Sequence, residues 1–269
     1  MARVKEAAIL NSGSGAWAFE SLANSLSHTL GVPVVSQPTE LNYILAWDGA
    51  TPPTGQSFVP FGAIECANDK RLIAGVFKSF GVPCPETFLL SDEELTPFLR
   101  RQSSRRWLLK YPISCGGAGH RFIQVGDTIP DDWPRPLVVQ EFISLPRPEV
   151  FRFYGVGGVL FGWNVRRFPE DTQDPSPFVA HARGAHYEQI GTAPPRAVRC
   201  ARRALEATGL WRSWGCVDMV PADNGRWLAL EVGTDGLWSH VDRDIQPPCI
   251  AEELETRLGQ TFKAWRERA

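Results

Sequence analysis

In 107-WLLKYPISCGGAGHRFIQV-125 an apolar run ends on Lys110, and Gly116, Gly117 and Gly119 fall within four residues before a second apolar run begins. A lysine at a strand end is a point charge suited to phosphate oxygens. Glycines lower the steric cost of bringing backbone N–H groups up to an anion, and they let a loop move. With Ser114 at its start, 114-SCGGAGH-120 has the make-up of a phosphate-binding loop. Taken alone it is equally that of an exposed hairpin turn. It lies between strands, so no helix dipole contributes. A second glycine turn, 12-SGSGAWAFE-20, follows a strand and opens a helix. It lacks the third glycine of a dinucleotide fingerprint, and no Gly-Lys-Ser/Thr is present, so it reads as a tight strand-to-helix turn.

Two carboxylates sit inside apolar strands, Asp218 in 215-GCVDMV-220 and Glu231 in 228-LALEV-232. A buried charge is costly unless it is paired or binds a cation. If Val220 pairs with Trp227, Asp218 lies opposite Ala229 and Glu231 is two positions further along the same face. The two acids are then diagonal neighbours, roughly 7–8 Å apart at the backbone. They could converge on a hard cation such as Mg²⁺, which takes carboxylate and phosphate oxygens. A register shifted by one residue would send them to opposite faces. Salt bridges to arginines are the other reading of this pair. Arg152, Arg166 and Arg167 lie on or beside a neighbouring hairpin, where they could neutralise charge on a transferred phosphoryl group. His181, Arg183 and His186 fall in a candidate substrate segment without assigned roles.

The elements that must position these groups follow in order. Residues 5–11 read as a short strand, 16–30 as a helix with Phe19, Leu22, Leu26 and Leu30 at helical spacing, and Gly31 as its stop. Val34–Val35 and 43–47 add strands, and the Pro- and Gly-rich 48–60 leads out of a small N-terminal α/β unit. A helix is expected over 69–80 with Asn68 as cap, then a strand at 87–90. Ser91 with Glu94 is a capping-box pattern opening a helix over 92–102. Strands at 137–143, 151–156 and 159–166 follow, the last two joined by the hairpin pair Gly157-Gly158. A helix over 194–208, a second hairpin (214–220 and 226–232) and an amphipathic helix over 250–266 complete the chain. Helices mixed with antiparallel hairpins indicate α+β layers.

The bulk numbers are those of a soluble globular chain. Of 269 residues, 43% are hydrophobic and 22% charged, with a formal net charge of −2. No block of like charge supports a nucleic-acid or membrane-surface partner. The six cysteines are scattered without a C-x-x-C pair, as expected of reduced thiols in the cytoplasm. The N-terminal apolar run is too short for a signal peptide, and no later run reaches the length of a membrane span.

Read together, 68-NDK…GVPCPET-87, 109-LKYPISCGGAGHRFIQV-125, 138-VVQEFI-143, 149-EVFRFYGVGGVLFGWNVRR-167 and 215-GCVDMV…LALEV-232 resemble the ATP-grasp superfamily in content and order, over roughly residues 66–235. The resemblance implies an ATP-grasp fold over 66–269 after an N-terminal α/β domain at 1–65, with ATP in the cleft between about 66–140 and 141–269. It implies that Lys70 and Lys110 contact the nucleotide and that Ser114, Gly116, Gly117 and Gly119 close over its phosphates. Gln140, Glu141, Phe142 and Ile143 would form the strand that meets adenine, and Glu149 would reach the ribose. Asp218 and Glu231 would hold Mg²⁺, while Arg152 and either Arg166 or Arg167 would face the phosphoryl group or carboxylate. The implied activity is that of an ATP- and Mg²⁺-dependent carboxylate–amine ligase working through an acyl phosphate, on a small-molecule or peptide substrate. A phosphotransferase or a non-catalytic nucleotide-binding module on the same scaffold are the alternatives, and a homodimer is left open. The sequence departs from the family's Glu-x-Asn at 231-EVGTDG-236, where Gly233 stands in place of Asn and Asp235 follows. The family's Asn-containing segment before the last helix appears as 179-VAHARGAH-186, without the Asn.

Overall fold

A computed structural model describes residues 5–114, 118–234, 239–245 and 250–269. Gly116, Gly117 and Asp235 lie outside the described residues. The chain begins with a parallel sheet. Strand β1 (Ala7–Asn11) leads through a 3-10 turn at Ala16–Phe19 to helix α1 (Glu20–Leu30), then to β2 (Val34–Val35), β3 (Leu41–Ala46) and β4 (Gln56–Ser57), in the order β2-β1-β3-β4. The continuous run Ala7-Ala8-Ile9-Leu10 is fully buried, as a strand covered on both faces requires. Helix α1 lays Ala23, Leu26 and Leu30 on it and ends at Gly31, with φ of 64°.

The expected cap at Asn68 moves by one residue. Helix α2 (Phe61–Asn68), which the Pro-rich lead-in concealed, ends there, and helix α3 (Lys70–Phe80) starts from Asp69, whose carboxylate accepts the Arg71 N–H at 2.8 Å. Strand β5 (Thr87–Leu90) and helix α4 (Asp92–Arg101) follow, the latter opened by the Ser91/Glu94 capping box. Strands β6 (Trp107–Lys110), β7 (His120–Ile123) and β8 (Leu137–Glu141) complete an antiparallel sheet in the order β5-β8-β6-β7. Strand alternation divides its side chains. Trp107, Leu109, Ile123, Leu137 and Val139 pack against Leu95, Phe98 and Leu99 of α4. Leu108, Lys110, Gln140 and Val138 are left on the other face.

The third sheet is antiparallel, built of β9 (Glu149–Val156), β10 (Val159–Arg167), β11 (His186–Gln189), β12 (Trp214–Ala222) and β13 (Arg226–Gly233), with α5 (Pro195–Ala207) packed on one face. Its order is β11-β10-β9-β12-β13. Gly157 and Gly158 both have positive φ, 58° and 88°, the turn conformation that matches hairpin twist and that other residues resist. Strand β11 has no sequence signature. Only Tyr187 among its four residues is apolar enough to mark a buried side.

Helix α6 (Ser239–Asp244) rests on β11, and α7 (Ile250–Arg266) returns to the first sheet. There Phe262 meets Phe58 edge-on at 5.4 Å and Tyr43 at 6.2 Å, beside Trp265 at 5.5 Å. Phe262→Ala is expected to cost about 3–5 kcal/mol of stability, the usual range for an aromatic removed from a packed core. Denaturant unfolding measures it, and a loss below about 1 kcal/mol would mean that α7 docks without this contact. Among the described residues no helix is long and apolar enough to cross a membrane.

Candidate functional site

The free face of the β5-β8-β6-β7 sheet looks onto the end of β13. Lys70, Phe77, Thr87, Lys110, Gln140 and Leu230 line a cavity of only about 10 Å³ between them. That is about the space of one water, so a purine ring enters only if the two sheets part. Lys70 stands at the first residue of α3, and its Nζ donates to the carbonyl of Ser114. The base of the glycine loop is drawn in further by Tyr111 N–H donating to the Gly119 carbonyl at 2.7 Å. A Cβ on Gly119 would lie 2.3 Å from Tyr111 Cβ and 2.7 Å from Ser114 Oγ, so only glycine allows this closure. Helix α3 and the loop are thereby coupled through one lysine.

Lys110 is 6% exposed. Burial pushes its ammonium down to about 8, against a partial opposing pull from Glu231 and a further push from Lys70. His120, paired with Lys110 across β6 and β7, is held neutral by burial first and by the two lysines second. Gln140 turns into the cleft and donates to Thr87 Oγ1 at 2.9 Å. Glu141 points away and lies 3.6 Å from Arg105. The Phe142 ring meets Phe122 at 5.0 Å, with the Arg106 guanidinium over both rings. Ile143 packs beside Val150, Val220 and Leu228.

The carboxylates are brought together by a different route from the expected register. Val220 pairs with Leu228 rather than Trp227, a shift of one residue that by itself would place Asp218 and Glu231 on opposite faces. A β-bulge between Met219 and Asp218 absorbs Leu230 as an extra residue, after which Asp218 stands directly opposite Glu231. The bulge restores the face. It also turns Leu230 into the cavity, a lining residue that the sequence flagged only by the unbroken apolar run 227–230.

Asp218 is 2% exposed, and both its oxygens are engaged by guanidinium groups. Arg152 Nε donates to Oδ1 at 2.6 Å and Nη2 to Oδ2 at 2.9 Å, while Arg166 Nη2 reaches Oδ2 at 3.1 Å. Burial alone would raise the Asp218 carboxyl, but Arg152 and then Arg166 hold it below the usual carboxylate range. Of the adjacent pair at 166 and 167, Arg166 shares the Asp218 face. Arg167 points to the other face, 3.8 Å from Glu149 and 3.5 Å from Glu188. Glu149 is thus tied to Arg167 and stands apart from the Asp218 cluster.

The donor set can be tested against a magnesium ion. Among the described residues no group of three His, Cys, Asp or Glu side chains is placed to hold a metal. Two carboxylates directly across one hairpin suffice, because Mg²⁺ keeps several waters and is commonly bound by one or two carboxylates together with substrate phosphates. Gly233, on β13 two residues beyond Glu231, adds no side chain to the pair. Glu231 has its carboxylate free of any ion pair within 4.0 Å among the described residues, and Asp218 retains a lone pair beyond its guanidinium bonds. The residues fit one ion. Two half-buried arginines and two lysines against two acids leave the site net positive, as a polyphosphate requires.

No family model matches the sequence, and neither does any curated protein. Solved structures do match over the whole length. D-alanine–D-alanine ligase from Bacillus anthracis, complexed with ATP, superposes with a TM-score of 0.67 at 13% identity, covering 99% of each chain. The ATP-grasp ligase PsnB complexed with minimal precursor gives 0.65 at 14% identity, over 95% of this chain and 99% of that one. The macrocyclase MdnB from Microcystis aeruginosa gives 0.60 at 14% identity, over 94% and 99%. The chain therefore has the α+β ATP-grasp fold.

Proposed function

We propose that the protein is an ATP- and Mg²⁺-dependent ligase that joins a carboxylate to an amine through an acyl phosphate. The observation that carries this reading is the Asp218–Glu231 pair, set directly opposite each other on the cleft face with Arg152 and Arg166 beside them and Lys110 across the cleft. ATP would lie between Gln140 to Ile143 and Leu230, its phosphates under the loop 114–120 and against Lys70 and Lys110. Magnesium, held by Asp218 and Glu231, would offset charge on the β- and γ-phosphates.

The substrate carboxylate oxygen attacks the γ-phosphorus, the bond from phosphorus to the bridging oxygen breaks, and ADP leaves with that electron pair. The amine then attacks the acyl carbon, inorganic phosphate leaves with the C–O pair, and the amine proton passes to solvent. Arg152 and Arg166 compensate negative charge where the phosphoryl group is transferred, in a site where little water competes. A peptide is the favoured substrate class, since PsnB and MdnC have been solved with precursor peptides. The cytoplasm, where ATP is available, is the compartment this reading favours.

The test is ADP release from the purified protein with ATP, Mg²⁺ and a panel of carboxylates, peptides and amines. Release that needs both a carboxylate and an amine is the expected outcome. A stable phosphorylated product made without amine would replace the ligase with a phosphotransferase. ATP binding without turnover on any combination, unaltered by Glu231→Ala, would leave a nucleotide-binding module.

A further inference from the structure

Arg166 is fastened at both terminal nitrogens. Nη1 donates to the Tyr187 hydroxyl at 2.9 Å and Nη2 to Asp218 at 3.1 Å, while Nε is buried with no hydrogen-bond partner among the described residues. A buried cationic donor left unpaired is costly, and an arginine side chain free to choose its rotamers would swing out of such a position. The Tyr187 ring stands against both guanidiniums, 5.5 Å from Arg166 Cζ and 5.7 Å from Arg152 Cζ. These are cation–π distances.

Tyr187 is itself held from both sides. It pairs with Arg166 across β11 and β10, and its backbone N–H donates to Asp244 Oδ2 of α6 at 2.9 Å. The His181 ring stacks on it at 6.4 Å with 22° between planes, and His181 Nε2 lies 3.3 Å from the same Asp244 oxygen. Strand β11 and helix α6 thus form a prop that meets the candidate catalytic face through the Tyr187 phenol.

We propose that Tyr187 is a positioning residue that locks Arg166, so that the guanidinium charge and its uncommitted N–H groups are held in a single place for the anion formed at the phosphoryl-transfer site. This rests on the ligase reading above. A donor held rigidly where charge develops contributes to rate rather than to ground-state nucleotide binding. Tyr187→Phe removes the acceptor oxygen and keeps the ring. It is expected to lower kcat for ADP release by about tenfold or more, the worth of one hydrogen bond to a charged group, with KM for ATP within about twofold of wild type and Tm nearly unchanged. Tyr187→Leu, which also removes the cation–π face, is expected to lower kcat further.

An unchanged kcat in Tyr187→Phe, or a loss that appears as a raised KM for ATP, overturns the proposal. A second measurement stands independently of turnover: hydrogen exchange at Arg166 Nε–H by ¹⁵N NMR, with the signal assigned through Arg166→Lys. Faster exchange in Tyr187→Phe by about tenfold, as expected for loss of that hydrogen bond, supports the lock even if no substrate pair yields ADP, in which case the ligase reading alone fails. Equal exchange rates in wild type and Tyr187→Phe overturn the lock whatever the enzyme turns over.

Discussion

Glu231→Gln is expected to lower ATP turnover by about 10²–10³-fold, the scale of losing one electrostatic group aimed at developing charge, and to leave Tm within a few degrees of wild type. Asp218→Asn is expected to lose turnover and stability together. The difference lies in what each carboxylate holds. Glu231 is only partly buried, and its charge is felt by Lys110 and Arg166 without a hydrogen bond that the fold depends on. Asp218 accepts three guanidinium N–H bonds while 2% exposed. Breaking a buried pair from one side leaves the remaining charges uncompensated, at about 3–5 kcal/mol. Urea unfolding and an ADP-release assay on both variants separate the two roles. Wild-type turnover in Glu231→Gln would remove the metal assignment, and wild-type stability in Asp218→Asn would show that the arginines find water instead.

Lys110→Met is expected to stabilise the nucleotide-free protein while weakening ATP binding by roughly 10–100-fold, the worth of a charge-assisted contact to phosphate. Lys110 occupies a 6% exposed strand position, an environment that a thioether of similar length suits better than an ammonium. The sign of the pH dependence follows from burial lowering its pKa from 10.5 to about 8. Between those values the unfolded chain holds a proton that the folded chain has released, so this residue's contribution to stability rises with pH across that window. Below about 8 both states are charged, and the folded state carries the full cost of burying the ammonium.

Phosphate binding reverses the preference, because an adjacent polyanion favours the charged lysine. ATP affinity should therefore fall as pH climbs through 8, with proton uptake on binding at pH 8.5 in wild type and none in Lys110→Met. Calorimetry in two buffers of different ionisation heat reads the uptake. Equal heats in wild type would place Lys110 away from the phosphates. A group kept at a cost to the empty fold is what a binding site commonly contains.

Much of the architecture was legible because it is local. The Ser91/Glu94 capping box, the Gly157-Gly158 turn, the helix stop at Gly31 and the Pro-led start of α5 each depend on residues within a few positions of one another. Helix α2 and strand β11 were not legible. The first begins at Phe61, directly after the Pro- and Gly-rich stretch 48–60 read as a connection, and the second carries polar residues on both sides of a single tyrosine. Lys110 with its glycine loop and the pair Asp218 and Glu231 stood out as charges set in apolar strands, a local anomaly visible without coordinates.

What the tertiary structure decided was orientation and partnership. Strand side chains alternate, so a shift of one residue exchanges the faces of a whole strand. The hairpin register did shift by one, and the bulge at Leu230 shifted it back for Glu231. The same alternation sent Arg166 to the Asp218 face and Arg167 to Glu149, a distinction that neighbouring identical residues cannot reveal in one dimension. Tyr187 came to Arg166 through a strand pairing 21 residues away in sequence. The sequence by itself determined which residue types are available to hold a nucleotide and an anion. Only long-range pairing determined which charge each of them meets, because electrostatic energy depends on distance and burial, and neither is a property of the chain in order.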